Sequence, residues 1–470
     1  MNSLDFSKTV NLCKIVDPNL EASQEWPELP VEVYHGRLSR LHQRMEERQF
    51  EAAVIYGDRE HAANFSWLTG IEPRFEEAIA VVVKNETPTA LLGNECLSLT
   101  DWTPAPLRVV HWPPLSLISQ PREALRPLAD IFGEAGIGKG DRIGLAGWKY
   151  YAPSEFPEPG AAFECPHYLV EALREIAGEN DRVKNVSDWF MSPEDGLRTF
   201  NEPAQIAQFE TAGSLASNGI SRLIQNLEFG RSELELAEHL VSRGLPLSCH
   251  PMVSSGRKAQ FGLTSPSSNV VKLGDAFTTA FGICGGLSCR AGYVAESPSD
   301  LPTEHADWLD RIAKPFFAAV CTWYETIRVG LPGGELFDLI ESMIPRTRFG
   351  WTLNPGHLLG MDEWISSPVF PGSQIPFRSG MAVQMDIIPA PPEGCSGGNV
   401  EDGIILADES LRKDLADQFP QLWERVQQRR RFMQEELGIA LDASVLPVSN
   451  IPALWRPLLL NREEALACRK

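Results

Sequence analysis

Apolar residues change their spacing along this chain, and each change marks an element. Over residues 36–48, Leu38, Leu41 and Met45 recur at helical spacing, which predicts a helix with one buried face. Ala52-Ala53-Val54-Ile55-Tyr56 follows as a short unbroken apolar run suited to a buried strand. The segments Ala78-Ile79-Ala80-Val81-Val82-Val83 and Ala90-Leu91-Leu92 repeat that pattern. Helix, strand, a loop with aromatic residues and further strands together predict an α/β layer arrangement. Between Trp148 and Pro166, proline, glycine and aromatic residues cluster without periodicity, so a long surface excursion is expected there.

The pattern shifts near residues 198–201. From Glu202 onward, Ile206, Phe209, Ile220, Leu223, Ile224 and Leu227 mark a long amphipathic helix, closed by Glu228-Phe229-Gly230. Ser232-Glu233-Leu234-Glu235 has the spacing of a capping box and opens the next helix. Strands are expected around Val270-Val271 and Phe277-Thr278-Thr279, a helix over 307–329, and further strands beyond it. Residues 414–437, with Arg429-Arg430-Arg431, predict a helix whose charges face solvent. The resulting division is an N-terminal extension (1–30), an α/β domain (31–198), a second domain (199–410) and a helical tail (411–470). A chain of 470 residues is long enough for two such cores.

Composition removes several function classes. With 43% hydrophobic and 22% charged residues, the chain suits a globular protein rather than a disordered one. A net charge of -21 argues against nucleic acid and anionic membranes as partners, because both require a basic face. Neither an apolar run of about 18 residues nor a basic leader followed by an apolar stretch is present, so a cytoplasmic location is expected. The nine cysteines are scattered without a Cys-x-x-Cys pair, which suggests neither a disulfide framework nor a zinc cluster. P-loop, dinucleotide, nucleophile-elbow and His-Glu-x-x-His motifs are missing.

Three later motifs carry the chemistry: Pro355-Gly356-His357-Leu358-Leu359-Gly360, the stretch from Gly380-Met381 to Asp386-Ile387-Ile388-Pro389, and Gly398-Asn399-Val400-Glu401-Asp402-Gly403. In order and separation they resemble the second half of the active site of the creatinase/Xaa-Pro aminopeptidase family, which includes prolidase (M24). The resemblance implies an α/β (α+β) fold, with a creatinase-like N-terminal α/β domain followed by a C-terminal pita-bread domain, in a homodimer. Metal-dependent members of that family hold two divalent cations with two aspartates, one histidine and two glutamates. By position, His357 matches the histidine, Asp386 stands where the first glutamate would be, and Glu401 matches the second. The two aspartates fall on Ala280 and Ala291, which offer no oxygen. Three ligands can hold one cation but lack the bridging carboxylates that bring two together. The expected cofactor is therefore none, or at most one weakly bound divalent cation. Creatinase itself works without metal through a histidine, and that position falls on Leu263 here, with His250 nearby upstream.

The resemblance makes His357, Asp386 and Glu401 the candidate catalytic residues. Arg290, beside Ala291, is expected to neutralise Asp386 or Glu401 or to grip a substrate carboxylate, with a surface arginine as the plain alternative. Tyr293 is a candidate hydrogen-bond donor in the same place or a packing residue, and Glu363 a candidate contact for a ligand amine. Arg74 and Phe75 lie on the loop that, in creatinase-like dimers, reaches into the partner's cleft. Three functions stay open: a creatinase/Xaa-Pro-peptidase-like hydrolase of a small C–N-bonded substrate (guanidino, amide or peptide) without a dinuclear centre, a noncatalytic ligand-binding or scaffold member, and a metal-dependent Xaa-Pro aminopeptidase with a rearranged site. In each, the expected partner is a small molecule or short peptide.

Overall fold

The computed structural model of the chain describes residues 9–18, 20–123, 125–391 and 394–468. It divides into two compact units, one formed by Leu29–Arg198 and the other by Thr199 onward together with the N-terminal segment up to Glu28. No helix among the described residues is long and apolar enough to cross a membrane.

A first short strand, β1 (Asn11–Lys14), belongs to the second unit. The Leu29–Arg198 unit begins with helix Val31–Arg48, which buries Tyr34, Leu41 and Met45 and ends at Gln49 in the left-handed region. Strands β2 (Ala52–Gly57), β3 (Ala78–Val83), β4 (Thr89–Leu92), β5 (Arg108–His111), β6 (Ile143–Ala146) and β7 (Val183–Asn185) form one mixed sheet in the order β5-β4-β3-β2-β6-β7. Because β2 is central and covered on both faces, it is buried at all six positions, which is why its sequence lacks alternation. Val54, Ile79, Leu91 and Leu145 pack in one core with Phe132 and Leu169 of helices Leu128–Glu134 and His167–Ala177. Residues 148–166 contain only a short 3-10 turn, Pro159–Ala161.

The second unit is organised by an antiparallel sheet. Its strands are β8 (Met252–Ser255), β9 (Ala276–Ile283), β10 (Gly286–Tyr293), β11 (His357–Leu358), β12 (Ala382–Met385) and β13 (Asn399–Leu406), in the order β11-β12-β13-β10-β9-β8. Helix Pro203–Gln225 lies on β9 and β10. Its approach is closest at Gly213, where a Cβ placed on Gly286 would lie 2.3 Å from the Gly213 amide nitrogen. Glycine is required at Gly286 for that reason. The capping box forms as expected, Ser232 and Glu235 each bonding the other's backbone amide. Val270 makes only an isolated bridge to Ser232, so the strand expected around Val270-Val271 is absent.

Both ends of the chain belong to the second unit. In the N-terminal segment β1 pairs antiparallel with β15 (Glu464–Ala467), in register Asn11 to Ala467. The C-terminal region is not a separate helical tail. Strand β14 (Val445–Pro447) pairs with β13, and helices Glu409–Gln418 and Pro420–Arg431 place Leu415, Leu422 and Val426 against Ile206 and Phe209. The charges on the last helix do not all face solvent either. Arg429 is fully buried, donating to Glu210 Oε1 at 2.6 Å, to Ser214 Oγ at 2.7 Å and to Asn450 Oδ1 at 2.6 Å, while Arg425 reaches the same carboxylate. The sequence pattern hid this pair because its partners lie more than 200 positions apart.

Burial alone would raise the Glu210 carboxyl, but the charges of Arg429 and Arg425 outweigh it and hold it below the usual range. A carboxyl lowered on folding contributes stability that is full above its unfolded value of about 4.3 and is lost as pH falls through the folded value. Glu210→Gln leaves Arg429 buried without its counter-charge and is expected to cost about 3–5 kcal/mol in urea denaturation at neutral pH. The wild-type midpoint should also fall more steeply than the variant's between about pH 5 and pH 3. Equal slopes would contradict the assignment.

Candidate functional site

Period-two alternation in the antiparallel sheet decides which side chains reach a common cavity. On β13, Asn399 and Glu401 face it while Asp402 points to the opposite side; on β10, Leu287, Cys289 and Ala291 face it while Arg290 points away. Asp386 follows the end of β12, and His357 on β11 pairs in register with Gln384. The cavity is about 510 Å³. Ligand atoms of His357, Asp386 and Glu401 come within 4.8 Å of one another, and all three residues are buried.

The polar contacts are few and specific. Glu363 Oε1 lies 3.3 Å and Asp386 Oδ2 3.9 Å from His357 Nε2. Neither approach is aligned as a hydrogen bond, so His357 Nε2 is without a hydrogen-bond partner among the described residues, and so is the other carboxylate oxygen, Asp386 Oδ1. The imidazole stacks on Trp364 at 4.0 Å, and its Nδ1 lies 3.2 Å from the carbonyl of Leu358. Gln384 Nε2 donates to Leu287 O at 2.8 Å and to Glu401 Oε1 at 3.2 Å.

Electrostatics follow from burial and proximity. Burial pushes the Glu401 carboxyl well above the usual range, and the charges of Asp386 and Glu363 push it the same way. Burial also raises Asp386, against the opposing pull of His357. For His357 burial works downward, but Glu363 and Asp386 more than offset it and the imidazole is raised above its ordinary value. The site thus favours a protonated histidine beside carboxyls that resist losing their last proton. Burial and the nearby acids push the thiol of Cys249 up to about 12 and raise that of Cys289 well above its ordinary value, so neither is a thiolate at neutral pH.

Several expected residues occupy other places. Arg290 faces neither Asp386 nor Glu401 across the cavity, and it is not on the surface. On the back of the sheet its guanidinium pairs with Asp402 Oδ2 at 2.7 Å and donates to the carbonyls of Leu454, Ile451, Cys289 and Glu401. All its donors are thereby occupied, and the cause is the alternation that sends Cys289 and Ala291 forward. Tyr293 is buried against Trp308, and its hydroxyl accepts from the Ser396 amide at 3.0 Å. It supports the loop whose Ser396 lines the cavity without lining it itself. His250 Nε2 is 2.8 Å from the Leu263 carbonyl, a local structural contact. In the other unit, Arg74 pairs with Glu60 at 3.3 Å and Phe75 is largely exposed.

The five-ligand centre of the resembled enzymes does not fit this chain. Ala280 and Ala291 line the cavity beside Asp386 and Glu401 and present only methyl groups there. The bridging positions therefore have no donor. One nitrogen and two carboxyls are left, a set compatible with a single divalent cation. Sequence reasoning overlooked Gln384 and Asn399. Counting back two residues from Asp386 and from Glu401 finds both, since strand neighbours on one face are two apart.

Comparison with known proteins agrees with this architecture. No family model matches the chain, and no curated protein matches its sequence. Solved structures do. An Xaa-Pro dipeptidase from Bacillus anthracis is 17% identical with a TM-score of 0.61, over 80% of this chain and 96% of that one. A recombinant prolidase from Thermococcus sibiricus is 18% identical with a TM-score of 0.61, over 80% and 95%. An X-Pro aminopeptidase from Thermotoga maritima is 16% identical with a TM-score of 0.60, over 79% and 95%. At such identities the likeness is one of fold: the chain has the pita-bread architecture of these enzymes, preceded by an α/β domain like theirs.

Removing a buried ion-pair partner strands the other charge. Arg290→Met is accordingly expected to destabilise the protein by about 3–5 kcal/mol, seen as a lowered midpoint in chemical denaturation. An unchanged midpoint would show that the network behind the sheet carries no weight.

Proposed function

We propose that the chain is a hydrolase that cleaves a C–N bond of a small amide, guanidino or short-peptide substrate in the cavity at His357, without a pair of metal ions. The observation that carries this reading is the convergence of three buried side chains, two from strands and one just past a strand end, within 4.8 Å, with His357 Nε2 and Asp386 Oδ1 left without a hydrogen-bond partner among the described residues. An unpartnered buried polar atom costs about 1–3 kcal/mol. A scaffold that had shed its chemistry would gain by replacing these groups with apolar ones.

Hydrolysis needs a base for water and an acid for the leaving nitrogen. In this reading the ionised member of the Asp386–Glu401 pair takes a proton from water, whose hydroxyl oxygen bonds the substrate carbon. His357, kept protonated by Glu363 and Asp386, gives a proton to the departing nitrogen as the C–N bond breaks. Glu363 holds the imidazolium, Gln384 orients Glu401, and the Trp364 ring fixes the plane of the imidazole. The proton that the pair took from water then passes to His357, which restores both groups, so the atoms of one water are divided between the two products.

A second reading is favoured by the same donor geometry: His357, Asp386 and Glu401 would hold one divalent cation. When bound, such a cation would polarise the scissile group and acidify a water.

Both readings are tested on purified protein by metal analysis and by mass-spectrometric turnover of amide, guanidino and dipeptide panels, with chelator and with added Mn²⁺. Turnover that survives chelation, and that falls about 100-fold or more in Asp386→Asn and in Glu401→Gln, is the expected outcome. Activity restored by one equivalent of metal selects the second reading. Two bound ions, or no product under any condition, overturn the first.

A further inference from the structure

The cavity discriminates by charge at its base and by apolarity at its mouth. At the base stand Glu363, Asp386 and Glu401, the latter two each only 5% exposed. Among the described residues that line it there is no lysine or arginine. Arg290, the nearest arginine in sequence to the alanine positions, is fully engaged on the other face of the sheet. Lys258 is likewise held elsewhere, by Glu233 Oε2 at 2.6 Å and the Ser265 carbonyl at 2.6 Å. Among the described residues His357 is the cationic group beside these acids, and two of them already flank it.

Beneath the acids, Met252, Ala280, Leu287 and Cys289 form a small apolar cluster. Ala291 adds another methyl beside them. Around the opening lie Phe261, Leu263, Leu353 and Ile388, respectively 64%, 70%, 50% and 41% exposed. Large apolar side chains concentrated at one rim mark a surface that a ligand covers. An unpartnered Asp386 Oδ1 at the bottom indicates that the ligand brings a donor.

We propose that this site takes an organic cation, an amine, amidine or guanidine, carried on an apolar body that lacks a free carboxylate. The cationic head lies against Glu363, Asp386 and Glu401 over the floor created by Ala280 and Ala291, and the body contacts Phe261, Leu263, Leu353 and Ile388. A ligand carboxylate drawn into the same space would meet three acidic side chains and, among the described residues, no basic one but His357, and that mismatch disfavours it. Dipeptides with a free C-terminus are thereby disfavoured as ligands. The inference rests on the proposed site, but it concerns binding and stands or falls separately from turnover.

Three isosteres separate charge from shape: benzamidine, benzamide and benzoate, titrated calorimetrically into the full-length protein. Benzamidine is expected to bind about tenfold or more tightly than benzamide, and benzoate to give no heat. Glu363→Gln should narrow the gap between benzamidine and benzamide, whereas Leu263→Ser should weaken both alike. Unaltered far-UV circular dichroism in both variants shows that the fold is intact. Benzoate binding as tightly as benzamidine overturns the proposal. So does stabilisation by Mn²⁺ alone with no benzamidine binding, which would assign the acids to a metal. Benzamidine binding without turnover of any substrate removes the hydrolase reading and leaves the ligand class standing. Turnover of a free-carboxylate dipeptide without benzamidine binding does the reverse.

Discussion

Behind the cavity, one guanidinium holds the sheet together. Arg290 on β10 donates to Asp402 on β13 and to the carbonyls of Ile451 and Leu454 in the C-terminal segment. Asp402 in turn accepts from Ser288 Oγ at 3.0 Å and from the Ala453 amide at 3.0 Å. Both charges are almost fully buried, so each depends on the other and on these dipoles for the solvation it gave up. Because neighbours along a strand point to opposite faces, clamping Arg290 and Asp402 at the back also sets Cys289, Ala291 and Glu401 at the front. The candidate site inherits its geometry from an ion pair that touches its residues only through their backbone carbonyls.

The front face shows what two alanines do to an acidic pocket. Ala280 and Ala291 leave space and methyl surface where a charged centre would need oxygen. Burial raises the carboxyls of both Asp386 and Glu401; the charge of Glu363 adds to it for both, and that of Asp386 for Glu401. His357 becomes the natural counter-charge, held by Glu363 and stacked on Trp364. A cluster of this kind suits proton transfer or the capture of one positive charge. It does not suit two cations a few ångströms apart.

The chain ends reinforce the same unit from outside. Strand β14 extends the sheet beside β13, while β15 pairs with β1, tying residues near both termini into one body. Arg429 and Arg425, on a helix that looks solvated in sequence, neutralise Glu210 inside the long helix lying over β9 and β10. Pairs so distant along the chain close large loops, and their contribution depends on the packed state that brings them together.

Local periodicity was enough to identify the central strands of the first domain, the helix beginning near Glu202 and the capping box at Ser232, while the motifs carrying His357, Asp386 and Glu401 were legible through their resemblance to a known family. Those features depend on spacing over a few residues, which sequence displays directly. The vacancy at Ala280 and Ala291 was equally legible, since a methyl group cannot ligate in any fold. Tertiary structure alone decided the fates of Arg290 and Tyr293, the burial of Arg429, the integration of both chain ends and the contact of Gln384 with Glu401. A charged residue's role depends on which face its strand presents and on partners more than a hundred positions away, and neither is encoded in its immediate neighbours.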